Sequence, residues 1–208
     1  MAWKPDYITP NQLAGYIRAG GDSVSGDLGP TCASASRAVD RATGRQFGKT
    51  DAPESRVYRA RWAGSKGMWL VETDDYMTEA GLVIAFDSAA DGAYSTTIDP
   101  TKVIKYPLNA EKGARPWRGF YLRPAVSTGV DGRLAGFRLT LDTWGWLAVP
   151  STIVDATKLQ GSRFAARRDA PFGVAGSPDN GSEIRLLAKA DPDVAVMVRD
   201  YARKAWAR

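Results

Sequence analysis

The chain has 208 residues, 44% hydrophobic and 25% charged, a composition typical of folded globular proteins rather than disordered chains. One cysteine and no histidine exclude an intrachain disulfide and leave too few soft ligands for a structural zinc site. The formal charge is +5, and residues 158–208 carry ten Lys/Arg against six Asp/Glu, so the basic character lies at the C-terminal end.

Hydropathy predicts neither secretion nor a membrane partner. No apolar run approaches the roughly 20 residues that span a bilayer, and Met1 to Tyr7 lack the apolar core of a signal peptide. The basic C-terminal end has three interpretations: a nucleic-acid surface, a surface for an acidic protein, or a solvated face that needs no partner.

Two helices are predicted near the N-terminus. Thr9-Pro10-Asn11-Gln12 is typical of a helix start, with a capping box between Thr9 and Gln12, and predicts a helix to about Arg18. Gly20 to Gly29 reads as a loop. A second helix begins near Pro30 and ends at a Gly44 cap. Small residues recur on one side of it and predict close helix packing: Cys32, Ala35, Ser36 and Val39.

The middle of the chain changes to a strand-like period, with short β-rich runs separated by turn residues. The predicted strands are Arg56 to Trp62, Met68 to Thr73, Leu82 to Phe86, Tyr94 to Ile98, Val103 to Tyr106, Phe120 to Arg123 and Phe137 to Trp144. Their spacing favours an antiparallel sheet or a small sandwich between two helical segments.

Helical signals return at Val149-Pro150-Ser151, and this helix should continue to about Arg168. The last helix has Asp191 as its cap and Pro192 as its first residue. One side of it is apolar, with Val194, Met197, Val198, Tyr201 and Ala205. Arg199, Arg203 and Trp206 share a different side at i, i+4 and i+7, on a helix that a long loop would allow to swing outward.

Together these signals predict an α+β fold: a helical bundle of about four helices with an inserted antiparallel β-sheet or small β-sandwich. The predicted divisions are an N-terminal helix pair in residues 1–55, a β-rich insertion in 56–148, and C-terminal helices in 149–208 that complete the helical domain.

The sequence offers no complete catalytic set. Gly21-Asp22-Ser23-Val24 looks like the nucleophile block of a GDSL hydrolase, but a serine nucleophile needs a base and the chain has no histidine. Gly64-Ser65-Lys66-Gly67 lacks the spacing of a phosphate-binding loop. Cys32 is interpreted as a packing residue. We therefore predict no enzyme activity, no catalytic residue and no cofactor.

Three clusters have both a functional and a structural interpretation. Glu72, Asp74 and Asp75 can hold a divalent cation or face water at the end of a strand; we predict no metal site. Trp117-Arg118 and Trp144-Gly145-Trp146 can stack nucleic-acid bases or fill a β core. The basic residues of the third helix can offset its dipole or bind an acidic partner: Arg163, Arg167 and Arg168.

Two sequence blocks resemble a known family. YITPNQLAGYI followed by CASASRAVDRATGRQF resembles the opening helix pair of siphophage head-to-tail adaptors, or head-tail connector proteins. WGWLAVPSTIVDATKLQGSRFAARRDAPFGVAG is the more specific match. DPTKVIKYPLNAEKGARPW is similar to the β segment of the longer, actinophage-type members. The long β segment departs from the short members, which leaves its partner open.

The resemblance implies a structural virion protein that forms a dodecameric ring in the neck between head and tail after assembly in the host cytoplasm. Its implied partners are other copies of itself, the portal, a stopper or tail-terminator protein, and genome DNA that passes through the channel without sequence-specific binding. The implied portal-binding residues are Arg167, Arg168, Asp169, Phe172, Arg199, Tyr201, Arg203, Lys204 and Trp206. The implied subunit-packing residues are Ala35, Val39 and Arg41.

An alternative function from a different class is a basic DNA-binding module that acts in packaging or in another phage process. It is indicated by the charged C-terminal end and by the aromatic residues that neighbour cations.

Overall fold

The computed structural model describes residues 4–19, 27–126, 129–169, 174–175, 184–185 and 192–203. The chain divides into two compact units. Unit 1 combines Met1–Phe47 with Val149–Arg208, and unit 2 is Gly48–Ala148. The block Gly21-Asp22-Ser23-Val24 lies outside the described residues.

Unit 1 contains the helices of the described chain. They are α1 (Pro10–Ala19), α2 (Gly29–Thr43), α3 (Ser151–Asp169) and α4 (Pro192–Val198). Two short strands, β9 (Val174–Ala175) and β10 (Ile184–Arg185), pair antiparallel. Helices α1 and α2 both pack against α3, and α4 packs against α2 and α3.

Local signals place the first two helices correctly. The Thr9 amide donates to Gln12 Oε1 and the Gln12 amide donates to Thr9 Oγ1, so the predicted capping box is confirmed. Helix α2 ends at Gly44, whose left-handed φ of 64° allows its amide to donate to the Asp40 carbonyl, as predicted.

Glycine within α3 sets how closely three helices approach. A Cβ built on Gly161 would lie 3.0 Å from Leu13 Cδ1 of α1 and 3.7 Å from Ala35 Cβ of α2. Leu13 and Ala35 are fully buried, so little room exists for either to move away. The predicted small-residue stripe of α2 is thus buried inside unit 1.

Unit 2 is built from two antiparallel four-stranded sheets. The first has the order β1-β8-β4-β5 and the second β2-β3-β7-β6. The strands are β1 (Glu54–Tyr58), β2 (Ala60–Ala63), β3 (Met68–Tyr76), β4 (Val83–Phe86), β5 (Thr96–Ile98), β6 (Ile104–Tyr106), β7 (Trp117–Leu122) and β8 (Phe137–Leu141).

The prediction of a helical bundle of about four helices with an inserted antiparallel β-sheet or small β-sandwich was wrong. The described residues form an α+β fold with four helices and two antiparallel sheets of four strands each, and they contain more strand than a bundle does. The run Arg56 to Trp62, predicted as one strand, divides at Arg59 into β1 and β2, which join different sheets. The period of a sequence run does not specify its hydrogen-bonding partner, so the division of this run between two sheets was missed.

Unit 2 has its own core, and its two chain ends are bonded to each other. Its buried cluster includes Phe120, Phe137 and Trp144. The two ends of the unit are joined by hydrogen bonds: the Trp146 amide to the Gly48 carbonyl at 2.7 Å, the Thr50 amide to the Trp144 carbonyl at 2.9 Å, and the Trp144 amide to Thr50 Oγ1 at 2.9 Å. Unit 2 therefore forms its core from its own residues, and its two chain ends are hydrogen-bonded to each other.

We expect residues 48–148, expressed alone, to fold cooperatively, because the core and the paired ends lie within that segment. The check is a sigmoidal thermal transition followed by near-ultraviolet circular dichroism, with Trp144→Ala as the destabilised control. A featureless near-ultraviolet spectrum of the isolated segment would contradict the expectation.

Two helix glycines should respond oppositely to the same substitution. A Cβ on exposed Gly15 meets nothing within 4 Å, so Gly15→Ala should raise the free energy of unfolding by up to about 1 kcal/mol through helix propensity. Gly161→Ala should lower it by about 1 kcal/mol, because overpacking against Leu13 outweighs that gain. Urea unfolding of both variants measures the two signs; a stabilised Gly161→Ala would contradict the close-packing account.

Candidate docking site

The last part of α3 and the residues around α4 carry the predicted portal-binding side chains. Arg167 is half-buried on α3, and its Nε has no hydrogen-bond partner among the described residues. Arg168 and Asp169 are the last two residues of α3, but their side chains are not described. Phe172, Lys204 and Trp206 lie outside the described residues.

The predicted continuous helix from Pro192 to Trp206 was wrong. The α-helix ends at Val198, a 3-10 turn covers Arg199–Tyr201, and Ala202 turns the chain with ψ 135°. The Arg203 amide then donates to the Thr43 carbonyl of α2 at 2.7 Å. A long-range hydrogen bond therefore replaces the helical i to i−4 bond, and Arg199 and Arg203 do not share a helix face.

Buried apolar side chains hold helix α4 in place. Val194 and Val198, both on the predicted apolar side, are buried, whereas Val196 is exposed. In the structure α4 packs on α2 and α3. Arg199 directly follows the seated helix and is exposed, so its guanidinium is available to a partner.

Tyr201 belongs to a row of three aromatic rings. Phe47 is fully buried and packs edge to face with Tyr7, at a centroid distance of 5.7 Å, and with Tyr201, at 5.9 Å. The Phe47 amide donates to the Tyr7 hydroxyl at 2.8 Å, and that hydroxyl donates to Asp40 Oδ1. Nothing in the spacing of the sequence indicated this junction, since its members come from three separate segments.

The same junction also binds the N-terminal arm to α2. The Tyr7 amide donates to Ser36 Oγ at 3.0 Å, and Ser36 Oγ donates to the Cys32 carbonyl at 2.8 Å. Arg37 pairs with Asp40 at 2.8 Å and donates to the Pro5 carbonyl at 2.6 Å. The N-terminal arm is thus held along α2 at Ser36, Arg37 and Asp40, and the C-terminal segment is held at the last residue of this helix, Thr43.

The predicted subunit-packing residues separate into two kinds. Ala35 and Val39 are fully buried within unit 1, so they act inside the subunit. Arg41 is exposed and can contact another molecule.

The carboxylates Glu72, Asp74 and Asp75 do not converge. Asp74 Oδ2 accepts from Arg56 at 2.9 Å and from the Tyr58 hydroxyl at 3.0 Å. Glu72 pairs with Arg61, while buried Asp75 accepts from Trp146 Nε1 at 3.0 Å. No group of three or more metal-ligating side chains occurs in the part of the chain that the structure describes.

The tryptophans that suggested base stacking are core residues. Trp117, Trp144 and Trp146 are all buried, and Trp117 and Trp144 pack against Tyr76 in the core of unit 2. Gly64-Ser65-Lys66-Gly67 forms the turn between β2 and β3, with Gly67 at a left-handed φ of 61°. Neither at these buried tryptophans nor at the 64–67 turn does the structure place neighbouring groups that could react with a substrate.

Comparison with known proteins gives no relative. No protein-family model matches the chain, and no curated protein matches it.

No described helix has both the length and the apolar character needed to cross a membrane.

Ionisation of Tyr7 should make the junction sensitive to alkali. Burial, followed by the hydrogen bond with Asp40, raises the pKa of Tyr7 above its ordinary value of 10.0. The unfolded chain therefore releases this proton first, so the Tyr7 contribution to stability is complete below pH 10 and declines as pH rises above it. The chain has no histidine, and burial raises the pKa of the Cys32 thiol, so the free energy of unfolding should stay nearly level only between about pH 7 and 8.

Tyr7→Phe provides the matched variant. At pH 7 it should lower the free energy of unfolding by about 1–3 kcal/mol, because the Phe47 amide and Asp40 lose their partner. Above pH 10 its stability should decline less steeply than that of wild type. Urea titrations at five pH values measure both effects, and parallel pH curves for the two proteins would refute the role given to Tyr7.

Proposed function

We propose that this chain is a structural virion protein, a head-to-tail adaptor that forms a ring, of twelve copies in the simplest case, between the portal and the stopper or tail-terminator protein. Genome DNA passes through the ring without sequence-specific binding. The protein works in the neck of the virion after assembly in the host cytoplasm, through contacts rather than through catalysis.

One observation carries the proposal. The two sequence blocks that resemble adaptors are separated by residues 48–143, which are nearly all of unit 2, yet their helical parts belong to the same unit. Helices α1 and α2 come from the first block and α3 comes from the second, and α3 packs against both. The resemblance therefore describes one packed substructure rather than two unrelated segments.

The candidate docking site supports the proposal in a second way. Exposed Arg199 lies directly after α4, which is held on α2 and α3 by Val194 and Val198. Tyr201 and Arg203 anchor the chain that follows, through the Phe47 ring and the Thr43 carbonyl. A cation on a fixed backbone loses little entropy when it binds a partner carboxylate.

Ring assembly needs a surface that is complementary to a different surface on the next copy. Exposed Arg41 on α2 is the remaining candidate among the predicted subunit-packing residues, since Ala35 and Val39 are occupied within unit 1. The DNA-binding alternative is weakened, because burial removes Trp117, Trp144 and Trp146 as stacking platforms.

The test mixes the purified chain with the portal encoded beside it, counts copies by native mass spectrometry and images the complex. We expect a closed ring on the portal. A chain that stays monomeric both alone and with the portal would refute the adaptor function. Affinity for duplex DNA that falls steeply with salt would favour the DNA-binding alternative instead.

Arg199→Glu tests the docking site. It should weaken portal binding about tenfold or more while leaving the thermal midpoint unchanged, because the residue is exposed and follows the seated helix. Lys102→Glu, an exposed charge reversal in unit 2, is the matched control and should bind like wild type. Equal affinity for wild type and Arg199→Glu would remove Arg199 from the portal-binding site.

A further inference from the structure

The strand register places three connections at one end of unit 2. Tyr58 of β1 and Phe86 of β4 both pair with Phe137, the first residue of β8. The connections that adjoin these residues are 87–95 and 123–136. The second of them begins after Leu122 of β7, which pairs with Trp69 beside the 64–67 turn of the other sheet. The two chain ends of the unit meet at the other end, where Lys49 and Gly145 form a bridge. We call the end with the three connections the far end.

Two large apolar side chains are exposed at the far end. Trp62 is 50% exposed and packs edge to face on Trp69, which in turn packs against the core of unit 2. Leu134 is 84% exposed. Exposed tryptophan on a rigid support is the residue type most enriched among interface hot spots.

Leu134 sits on a firmly held backbone. Its neighbour Arg133 donates to the Asp87 carbonyl at 2.8 Å, and the next residue, Ala135, accepts from the Tyr94 hydroxyl at 2.7 Å. The leucine is therefore presented to solvent by a segment whose flanking residues are both bonded to the neighbouring connection. Such preorganisation lowers the entropic cost of binding.

The far end carries free cations and occupied carboxylates. Arg59, Lys66 and Arg123 are exposed and make no ion pair with any described residue. Asp87 accepts from the amides of Ala90, Asp91 and Gly92, while Asp131 pairs with Arg133. Exposed Asp91 lies there as well, and all three carboxylates keep their charge. The far end therefore carries four cations, Arg59, Lys66, Arg123 and Arg133, against Asp87, Asp91 and Asp131, an excess of one positive charge.

We propose that the far end of unit 2 docks an acidic protein surface, with Trp62 and Leu134 as apolar anchors and Arg59, Lys66 and Arg123 as the complementary cations. A protein fits better than duplex DNA, since exposed Trp62 and Leu134 would gain nothing from a phosphate backbone. This inference rests on the proposed function for the identity of the partner, which is then the neck protein on the tail side of the ring.

The experiment uses the full-length chain and, as separate probes, the portal and the next neck protein encoded toward the tail genes. Affinity for the tail-side protein is measured by biolayer interferometry at two salt concentrations. The double variant Trp62→Ala/Lys66→Glu should bind at least about tenfold more weakly and show a smaller salt dependence. Leu147→Ala and Lys112→Glu, exposed positions of unit 2 outside the far end, are the matched controls and should bind like wild type.

The outcomes separate this inference from the proposed function. A ring on the portal, together with tail-side binding that the far-end variant does not change, overturns the far-end site and leaves the adaptor function standing. Loss of tail-side binding without any ring on the portal supports the far-end site and refutes the ring. Retention of duplex DNA by wild type but not by the far-end variant, with no protein binding, would also overturn the proposal.

Discussion

The buried ring of Phe47 is the contact on which the candidate docking site depends. It is the last residue of unit 1 before the chain enters unit 2, and it lies between Tyr7 of the N-terminal arm and Tyr201 of the C-terminal segment. Its amide is bonded to the same Tyr7 hydroxyl that donates to Asp40. Edge-to-face aromatic pairs add about 0.5–1.5 kcal/mol each beyond burial. Three segments that are far apart in the sequence therefore share one support, and any change at Phe47 is transmitted to the position of Tyr201.

Signals within a few residues of one another predicted local structure well. The capping box of Thr9 and Gln12 and the glycine cap at Gly44 were predicted because each involves hydrogen bonds over three or four residues. The end of α4 was not predictable in this way. It depends on a hydrogen bond from Arg203 to Thr43, across most of the chain. The division of a β run at Arg59 likewise depends on which sheet each half joins. The hydrophobic period and the residue propensities of a segment indicate neither where α4 ends nor which sheet each half of the β run joins.

The functional residues of the candidate sites were also only partly predictable from the sequence. The sequence does not distinguish Trp62 from Trp117, Trp144 and Trp146, since all lie in or beside β-rich runs. Burial separates them: the last three fill the core of unit 2, and Trp62 extends beyond it on the β2–β3 hairpin. The cation of Arg199 after α4 was predictable from charge alone, but the junction beside it was not, because Tyr7 and Phe47 looked like ordinary apolar positions in the sequence.

Ion pairing decides what the modest net charge of +5 means for recognition. Spread evenly over a surface, so small an excess would attract any polyanion weakly and without selectivity. In this chain several carboxylates are engaged by their own units: Asp40 by Tyr7 and Arg37, Asp74 by Arg56 and Tyr58, and Asp131 by Arg133. Among the exposed cations, Arg199 follows α4, and Arg59, Lys66 and Arg123 lie at the far end of unit 2. At the far end they lie with exposed apolar side chains, and a protein surface can match both properties, whereas a phosphate backbone matches only the charge. The proposed protein partner is therefore supported by the apolar side chains that lie beside these cations, more than by the total charge.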